Sequence, residues 1–380
     1  MPVSAGATNL YLAKHTRVFL AQGSNIWEIP VLDGYSFSQA TNTSEITLSE
    51  MTDATGASRR AKQVVTDSLA PSEWSFSTYA KPYLVTGTPD VMHCVEEPLW
   101  ANFVATNVYT PATPAWSKAI TLGTGALDID FNDSNFTTLG TFDLYFVLGA
   151  ANVTGVNYLA DGDTTIYKIT GAVTNEVSVT FDIEGITTLA WSGFGESIEE
   201  VTSYNATGAI VAGITDTSNF IRNRLTALTA NSSISGSSVD YDITLTGGSI
   251  TINNGITFLT PETIGRVNKP IGHVAGTRSV SGTFTAYLDE KTNSTIDLFE
   301  DISTNLLAVT NSFALDFYVG GKDTGDAPVA PGLQFKIPKA HLTLPAINVA
   351  DVLSVEVSFT ALPSTLSATD EITKISYIGL

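Results

Sequence analysis

"RSVSGTFTAYL", residues 278–288, places Val280, Phe284, Ala286 and Leu288 on one side and Ser279, Ser281, Thr283, Thr285 and Tyr287 on the other, with Gly282 in the apolar row. Period-two alternation of this kind predicts a β-strand with one face buried. Its outer face carries small hydroxyls and no charge. "APSEWSFSTYAKPYL", residues 70–84, has the same design much earlier in the chain. The pair raises two questions: whether the chain is written twice, and what surface is polar, smooth and uncharged.

Other segments also recur, in the same order. "IPVLDGYSFSQATNTSEITLSE" (29–50) aligns with "ITLTGGSITINNGITFLTPE" (243–262), matching Ile29 with Ile243, Gly34 with Gly248 and Ile46 with Ile256. "TFDLYFVLG" (141–149) aligns with "SFALDFYVG" (312–320), with Phe142/Phe313, Leu144/Leu315 and Phe146/Phe317 in register. "YKITGAVTNEVSVTFDIEGITTLAWSGF" (167–194) aligns with "FKIPKAHLTLPAINVADVLSVEVSFTAL" (335–362), matching Lys168 with Lys336 and Ala172 with Ala340. The offset falls from 214 at Gly34/Gly248 to 171 at Phe142/Phe313, which assigns extra loop sequence to the first copy. A competing explanation is that short-stranded β domains share such patterns without duplication. The Gly-, Ser- and Thr-rich stretch after Gly195 marks the boundary.

Each copy has one helix candidate. "TPDVMHCVEEPLWANFVA" (88–105) has Thr88 to cap and Pro89 at the first helical position, with Pro98 set to break or kink it. "NSTIDLFEDIS" (293–303) spaces Ser294 and Asp297 as a capping box does, with Ile296, Phe299 and Ile302 at helical spacing.

The chain has 380 residues, room for two or three domains, and its 43% hydrophobic content can bury a core. Charged residues are only 15%, against about a quarter in a typical domain. They are 38 acidic to 18 basic, a net charge of −20. Such a chain repels phosphates rather than gripping them, since gripping needs Lys and Arg. Cys94 is the single cysteine, which excludes an intrachain disulfide. The first twenty residues lack a secretory signal pattern, and no window reaches the roughly 18 apolar residues of a membrane helix, so a soluble protein made in a cytoplasm is expected.

Reactive constellations are missing. No nucleophile elbow, phosphate-binding loop or dinucleotide fingerprint occurs, and His15, His93, His273 and His341 are scattered. In "DIDFNDSNFTTL" (128–139), Asp128, Asp130 and Asn132 fit the first three ligand places of a calcium loop. The place that requires Gly holds Asp133, and the bidentate Glu is replaced by Leu139, so a strand end and turn is the better reading. Neither a catalytic centre nor a metal or cofactor site is expected. "GASRRAKQ" (56–63) gathers Arg59, Arg60 and Lys62 in an expected long loop. It reads either as a solvated loop or as an arm that docks on an acidic neighbour.

The blocks "ITLTGGSITINNGITFLTPETIGRVNKPIG", "GTRSVSGTFTAYLDE" and "FKIPKAHLTLP…LSVEVSFTAL" resemble the major tail tube proteins of tailed bacteriophages, in particular the long non-contractile kind, most clearly over Phe220–Leu380. The resemblance implies a mainly β chain of two tandem tail-tube-type β-sandwich or barrel domains, each with one flanking helix. Residues 1–200 form the first domain, 201–218 a linker and 219–380 the second. It further implies stacked rings in a virion, assembled in the host cytoplasm. Their bore carries the tape measure protein and passing genomic DNA, with tail terminator and baseplate or tip proteins at the ends. Single-domain members form six-fold rings, so a chain with two copies implies rings of three. Arg59, Arg60 and Lys62 are then candidates for inter-subunit contact. Ser75, Ser77, Ser281, Thr283 and Thr285 are candidates for the bore, where hydroxyls would let DNA slide. An ordinary solvent face explains the same strands, and a two-domain β-sandwich binding module, an adhesin or capsid decoration protein, is the alternative function.

Overall fold

The structure is a computed structural model, and it describes residues 11–47, 54–56, 62–87, 90–131, 137–149, 164–202, 209–215, 219–232, 239–264, 267–304, 312–322, 329–349 and 352–379. In the first half the main elements are β1 (Arg17–Gln22), β2 (Asn25–Ile29), β3 (Ser36–Thr47), β4 (Lys62–Tyr79), α1 (Glu97–Val104), β5 (Ala126–Asp130), β6 (Phe142–Gly149), β7 (Thr164–Asp182), β8 (Thr188–Gly195) and β9 (Ser197–Val201). In the second they are β10 (Ala227–Ser232), β11 (Val239–Ile243), β12 (Leu245–Asn253), β13 (Ser279–Tyr287), α2 (Thr295–Thr304), β14 (Phe313–Val319), β15 (Gly332–Leu342), β16 (Ala346–Asn348), β17 (Ser354–Ala361) and β18 (Lys374–Ile378).

The pairing of the second half repeats that of the first. Neighbours run β2-β1-β6-β7-β8-β4-β3 in one and β11-β10-β14-β15-β17-β13-β12 in the other, all antiparallel. Val18 faces both Ile29 and Phe146, as Leu228 faces Ile243 and Phe317. Phe142 pairs with Ala172 and Leu144 with Ile169; Phe313 pairs with Ala340 and Leu315 with Ile337, so both ladders carry the same irregularity. Ser36 and Ser249 hold matching places opposite Ser75 and Thr283, which pairs Gly34 with Gly247 rather than with Gly248.

Local physics supports these strands. Gly23, at φ 61°, takes the left-handed backbone needed by the two-residue turn between Gln22 and Asn25. Trp74 lies directly opposite Gly193, where an added Cβ would stand 2.6 Å from the indole; Phe359 lies opposite Gly282, where a Cβ would stand 2.7 Å from its ring. In each half an aromatic ring covers the glycine across from it, from opposite strands of the pair.

The two halves share one open sheet. β7 extends past its own half and pairs with β12 from Glu176↔Asn253 to Asp182↔Gly247. The core lies under one face of the sheet, with Trp74, Phe76, Trp191, Phe284, Phe317 and Phe359 buried in it.

Three expectations change. The first helix begins at Glu97, so Pro98 sits in its first turn, where a missing N–H costs little. Val91–Cys94 is a strand paired with Pro82–Val85, and Thr88 and Pro89 lie outside the described residues. In α2, the Asp297 carboxylate accepts from the Asn293 N–H at 2.7 Å, Ser294 donates to the Asp289 carbonyl, and Leu298 and Ile302 are the buried apolar residues. The extra sequence of the first half is more than loop: β5 pairs with the C-terminal strand β18 of the second half, Asp128 opposite Ser376.

Candidate channel face and assembly edges

Turned away from the core, the sheet presents one polar face built from eight stretches. In the first half these are the first residues of β3, the last of β4, β8, and β7 from Glu176 onward, past a register shift between Thr174 and Glu176 in the β7–β8 ladder. In the second they are β12, β13, β17 and β16. Ser75 and Ser77 alternate with buried Trp74, Phe76 and Thr78. Ser281, Thr283 and Thr285 alternate with Val280, Phe284 and Ala286, with Gly282 in the inward row. All five sequence-identified hydroxyl residues therefore lie on this one face. Ser75 matches Thr283, and Ser77, opposite Ala190, matches Thr285, opposite Glu356.

The same face carries Ser36, Ser178, Thr180, Ser192, Thr251 and Ser358. Ser36 Oγ meets Ser75 Oγ at 2.8 Å, and Asn253 donates to Glu176 at 2.7 Å. Its charged groups are Glu73, Glu176, Asp182 and Glu356, and residues 36–40, 72–79, 176–182, 188–195, 247–253, 279–287, 346–348 and 354–361 contain no Lys, Arg or His. Alternation of a strand sends every second side chain outward, so the composition of this surface follows from which residues fall in the outward row.

Among the described residues, the polar-faced part of the sheet ends at β3, bonded on one side to β4, and at β16, bonded on one side to β17. At the equivalent positions in the middle of the molecule, β7 and β12 bond to each other. Ile347 is 53% exposed and Val349 84%, whereas their counterparts Val179 and Phe181 are each 2% exposed.

Of the basic cluster, Lys62 stands at the start of β4 in an ion pair with Glu45 of the neighbouring β3, and both groups are about half exposed. Arg59 and Arg60 lie outside the described residues. Asp128 is occupied by Ser376 Oγ at 2.8 Å and Lys374 Nζ at 2.9 Å, within the β5–β18 pairing, and Asn132 lies outside the described residues.

A buried polar cluster, which sequence reading missed, lies at α1. The Glu97 carboxylate accepts from Trp116 Nε1 and from the Cys94 N–H, and lies 2.9 Å from His93 Nδ1. Glu96, fully buried, accepts from the Lys81 N–H and from the Tyr377 hydroxyl, which in turn accepts from Trp100 Nε1 at 2.8 Å. Burial pushes the Glu96 carboxyl up to about 7, against the pull of the Tyr377 hydrogen bond. The cluster bonds α1 to the C-terminal strand; its signal in sequence was the pair Glu96–Glu97 inside an apolar run.

Two likenesses bear on this arrangement. The family described as phage tail tube protein matches residues 75–361. Over 394 aligned residues the chain is 31% identical to the tail tube protein pb6 of Escherichia phage T5, covering 98% of this chain and 76% of that protein.

Proposed function

This chain belongs to the phage tail tube protein family, and from that premise we propose that it builds the tube from rings of three copies, each copy supplying two tube domains. It is a structural component of the virion tail, and its family self-assembles into a tube. The binding-module alternative is not favoured by the match.

The observation that carries the reading is the β7–β12 seam. Within one chain, the last strand of one half's polar sheet bonds to the first strand of the other half's. Repeating that step between copies pairs each open edge and closes the sheet into a ring. Closure satisfies backbone groups that an exposed edge leaves as a template for aggregation. The domain division at residues 1–200 and 219–380 belongs to this reading, although the intervening stretch is tied to the first half: the Ile210 N–H donates to Ile26 O at 2.9 Å.

The polar face then lines the bore. A wall of hydroxyls and carboxylates offers DNA phosphates no cation to hold, so the genome passes without counterion-releasing contacts. Tape measure protein inside the tube, and terminator and tip proteins at its ends, are the further partners. The arm bearing Arg59, Arg60 and Lys62 reaches carboxylates of a neighbouring copy.

Electron micrographs of the purified protein test the reading. Hollow tubes with three chains per ring are expected, and six chains per ring would refute the stoichiometry. Arg59→Glu with Arg60→Glu should leave the folded monomer within about 0.5 kcal/mol of the parent and shorten the tubes. Tubes of unchanged length would remove the arm from the assembly.

A further inference from the structure

Resting on the tube reading, we propose that copies join through β16 of one and β3 of the next in the register of the internal seam, and that Pro345 makes this join one hydrogen bond weaker than its internal counterpart. The register follows from matched positions. Val179 corresponds to Ile347, because Leu189 faces Val179 as Val355 faces Ile347. Ile250 corresponds to Phe37, because each lies across from the residue before the matched pair Ser75 and Thr283. Val179 pairs with Ile250 inside the chain. Between copies, Ile347 therefore meets Phe37, Ala346 meets Ser38 and Asn348 meets Ser36.

The side chains suit this partner. The inward row joins the exposed Ile347 and Val349 to Phe37 and Tyr35, apolar to apolar, as Val179 and Phe181 are covered inside the chain. The outward row joins Ala346 and Asn348 to Ser38 and Ser36, continuing a face without Lys, Arg or His. The join also extends beyond the strands. Ile186 bridges Arg222, and the Thr187 N–H donates to Ile221 O at 2.9 Å, just before the short helical turn Asn223–Leu225. The corresponding residues are Val352 and Leu353 on one copy and Tyr11 and Leu12, before the turn Ala13–His15, on the next. Val352, Leu353 and Tyr11 are large hydrophobic residues left 57%, 43% and 50% exposed.

Pro345 occupies the place of Val177. Asn254 donates to Asn175 O at 2.8 Å across the internal seam, and alternation in an antiparallel ladder turns the N–H of Val177, two residues on, toward Ile252. Proline has no N–H to give there. It is also a residue that natural sheets use to blunt exposed edges. The join between copies is thus a weaker version of the seam within the chain. Free copies stay apart at concentrations where a growing tube end, which offers further contacts, still captures them.

Disulfide trapping tests the register in the full chain. Ser38→Cys with Ala346→Cys places thiols opposite each other at a pair whose backbone groups point away from the join, where side chains approach most closely. Covalent dimers and trimers should appear on non-reducing gels under oxidation. Ser178→Cys with Thr251→Cys, the internal counterpart, should link within one chain and shows that such a pair can form. Ser36→Cys with Ala346→Cys is out of register and should link poorly. Preferred linking of that pair, or no intermolecular link while the internal control closes, overturns the register. If hollow tubes are still seen in micrographs of those samples, the tube reading survives; if they are absent from the parent protein as well, both fall. For the weakening, Pro345→Val and Pro345→Ala should each lower the protein concentration at which tubes first form, by about fivefold for one restored hydrogen bond. An unchanged or higher threshold in variants that keep the parent circular dichroism spectrum overturns the role of Pro345.

Discussion

Residues 80–141 of the first half and residues 288–312 of the second connect matching strands, yet they are built differently. Among its described residues the second connection holds one helix, α2, which covers the sheet through Leu298 and Ile302. The first adds short strand pairs around α1, every residue of which is buried. Its strand β5 pairs with β18, and Trp100 bonds to Tyr377. Arg278, beside β13, adds a third tie by bonding Glu371 at 2.9 Å and lying against Phe131. The difference teaches that a short connection suffices to cover the sheet. The longer one fastens the two halves together, so that one chain behaves as a pre-joined pair.

The largest effect should come from breaking that fastening. Trp100 is fully buried, edge-on to Trp191 at 4.8 Å, and donates to Tyr377. Trp100→Ala should cost about 3–5 kcal/mol by cavity formation and leave the Tyr377–Glu96 pair without its donor. Leu298→Ala, the equivalent cut in α2, should cost about 2–5 kcal/mol. Hydrogen exchange separates them: amides of residues 374–378 should lose protection in the Trp100 variant and keep it in the Leu298 variant. Equal loss in both would erase the distinction between the two connections.

Glu96 gives a smaller, pH-dependent effect, confined to the first connection. Its carboxyl titrates at about 7 in the folded protein, raised by burial from the ordinary glutamate value of 4.5. The folded state therefore holds a proton that the unfolded chain has released between those values. Stability contributed by the protonated group is fully present below about pH 4.5, falls as pH rises toward 7, and is flat above. Glu96→Gln keeps an acceptor for Tyr377 without a titrating proton. It should remove this slope and stabilise the protein at pH 8 by an amount on the order of 2 kcal/mol. Chemical denaturation at pH 5 and pH 8 reads both, and an unchanged slope would show that Glu96 is not its source.

Much of the fold was legible in the sequence because alternation is local. The outward hydroxyl rows of β4 and β13 follow directly from period two. What pairs across strands was harder to read. Trp74 and Gly282 look unrelated in alignment, yet the pairs Trp74–Gly193 and Gly282–Phe359 solve the same packing problem from opposite strands. The apolar run before α1 misled because Val91–Cys94 is short, and short apolar runs do not separate strand from helix. β5 read as an acidic strand end before a turn, but its partner did not show, since β18 lies almost 250 residues away and the Asp128 carboxylate is bonded there. The open edges were invisible for a related reason: sequence shows which segments form strands, but not which strands lack a second neighbour.

The smallest effect on stability, and the sharpest comparison between the halves, concerns the polar face. Thr283 lies between Ser249 and Ser358, and its match Ser75 between Ser36 and Ser192. Thr285 differs, because it lies directly opposite Glu356. Lysine at any of the three should change the folding free energy by no more than about 0.5 kcal/mol, as is usual for surface sites. If the face lines the bore, Thr283→Lys and Ser75→Lys should slow genome ejection alike. Each adds a cation with no carboxylate directly opposite, and the retardation should grow as salt is lowered. Thr285→Lys should slow it less, since Glu356 neutralises the new charge across the strands. The double variant Thr283→Lys with Thr285→Lys should still assemble and show the largest retardation of the series. Slowing by Thr283→Lys alone would mean that the two halves do not present equivalent walls. Unchanged ejection in every variant would place the whole face outside the path of the DNA.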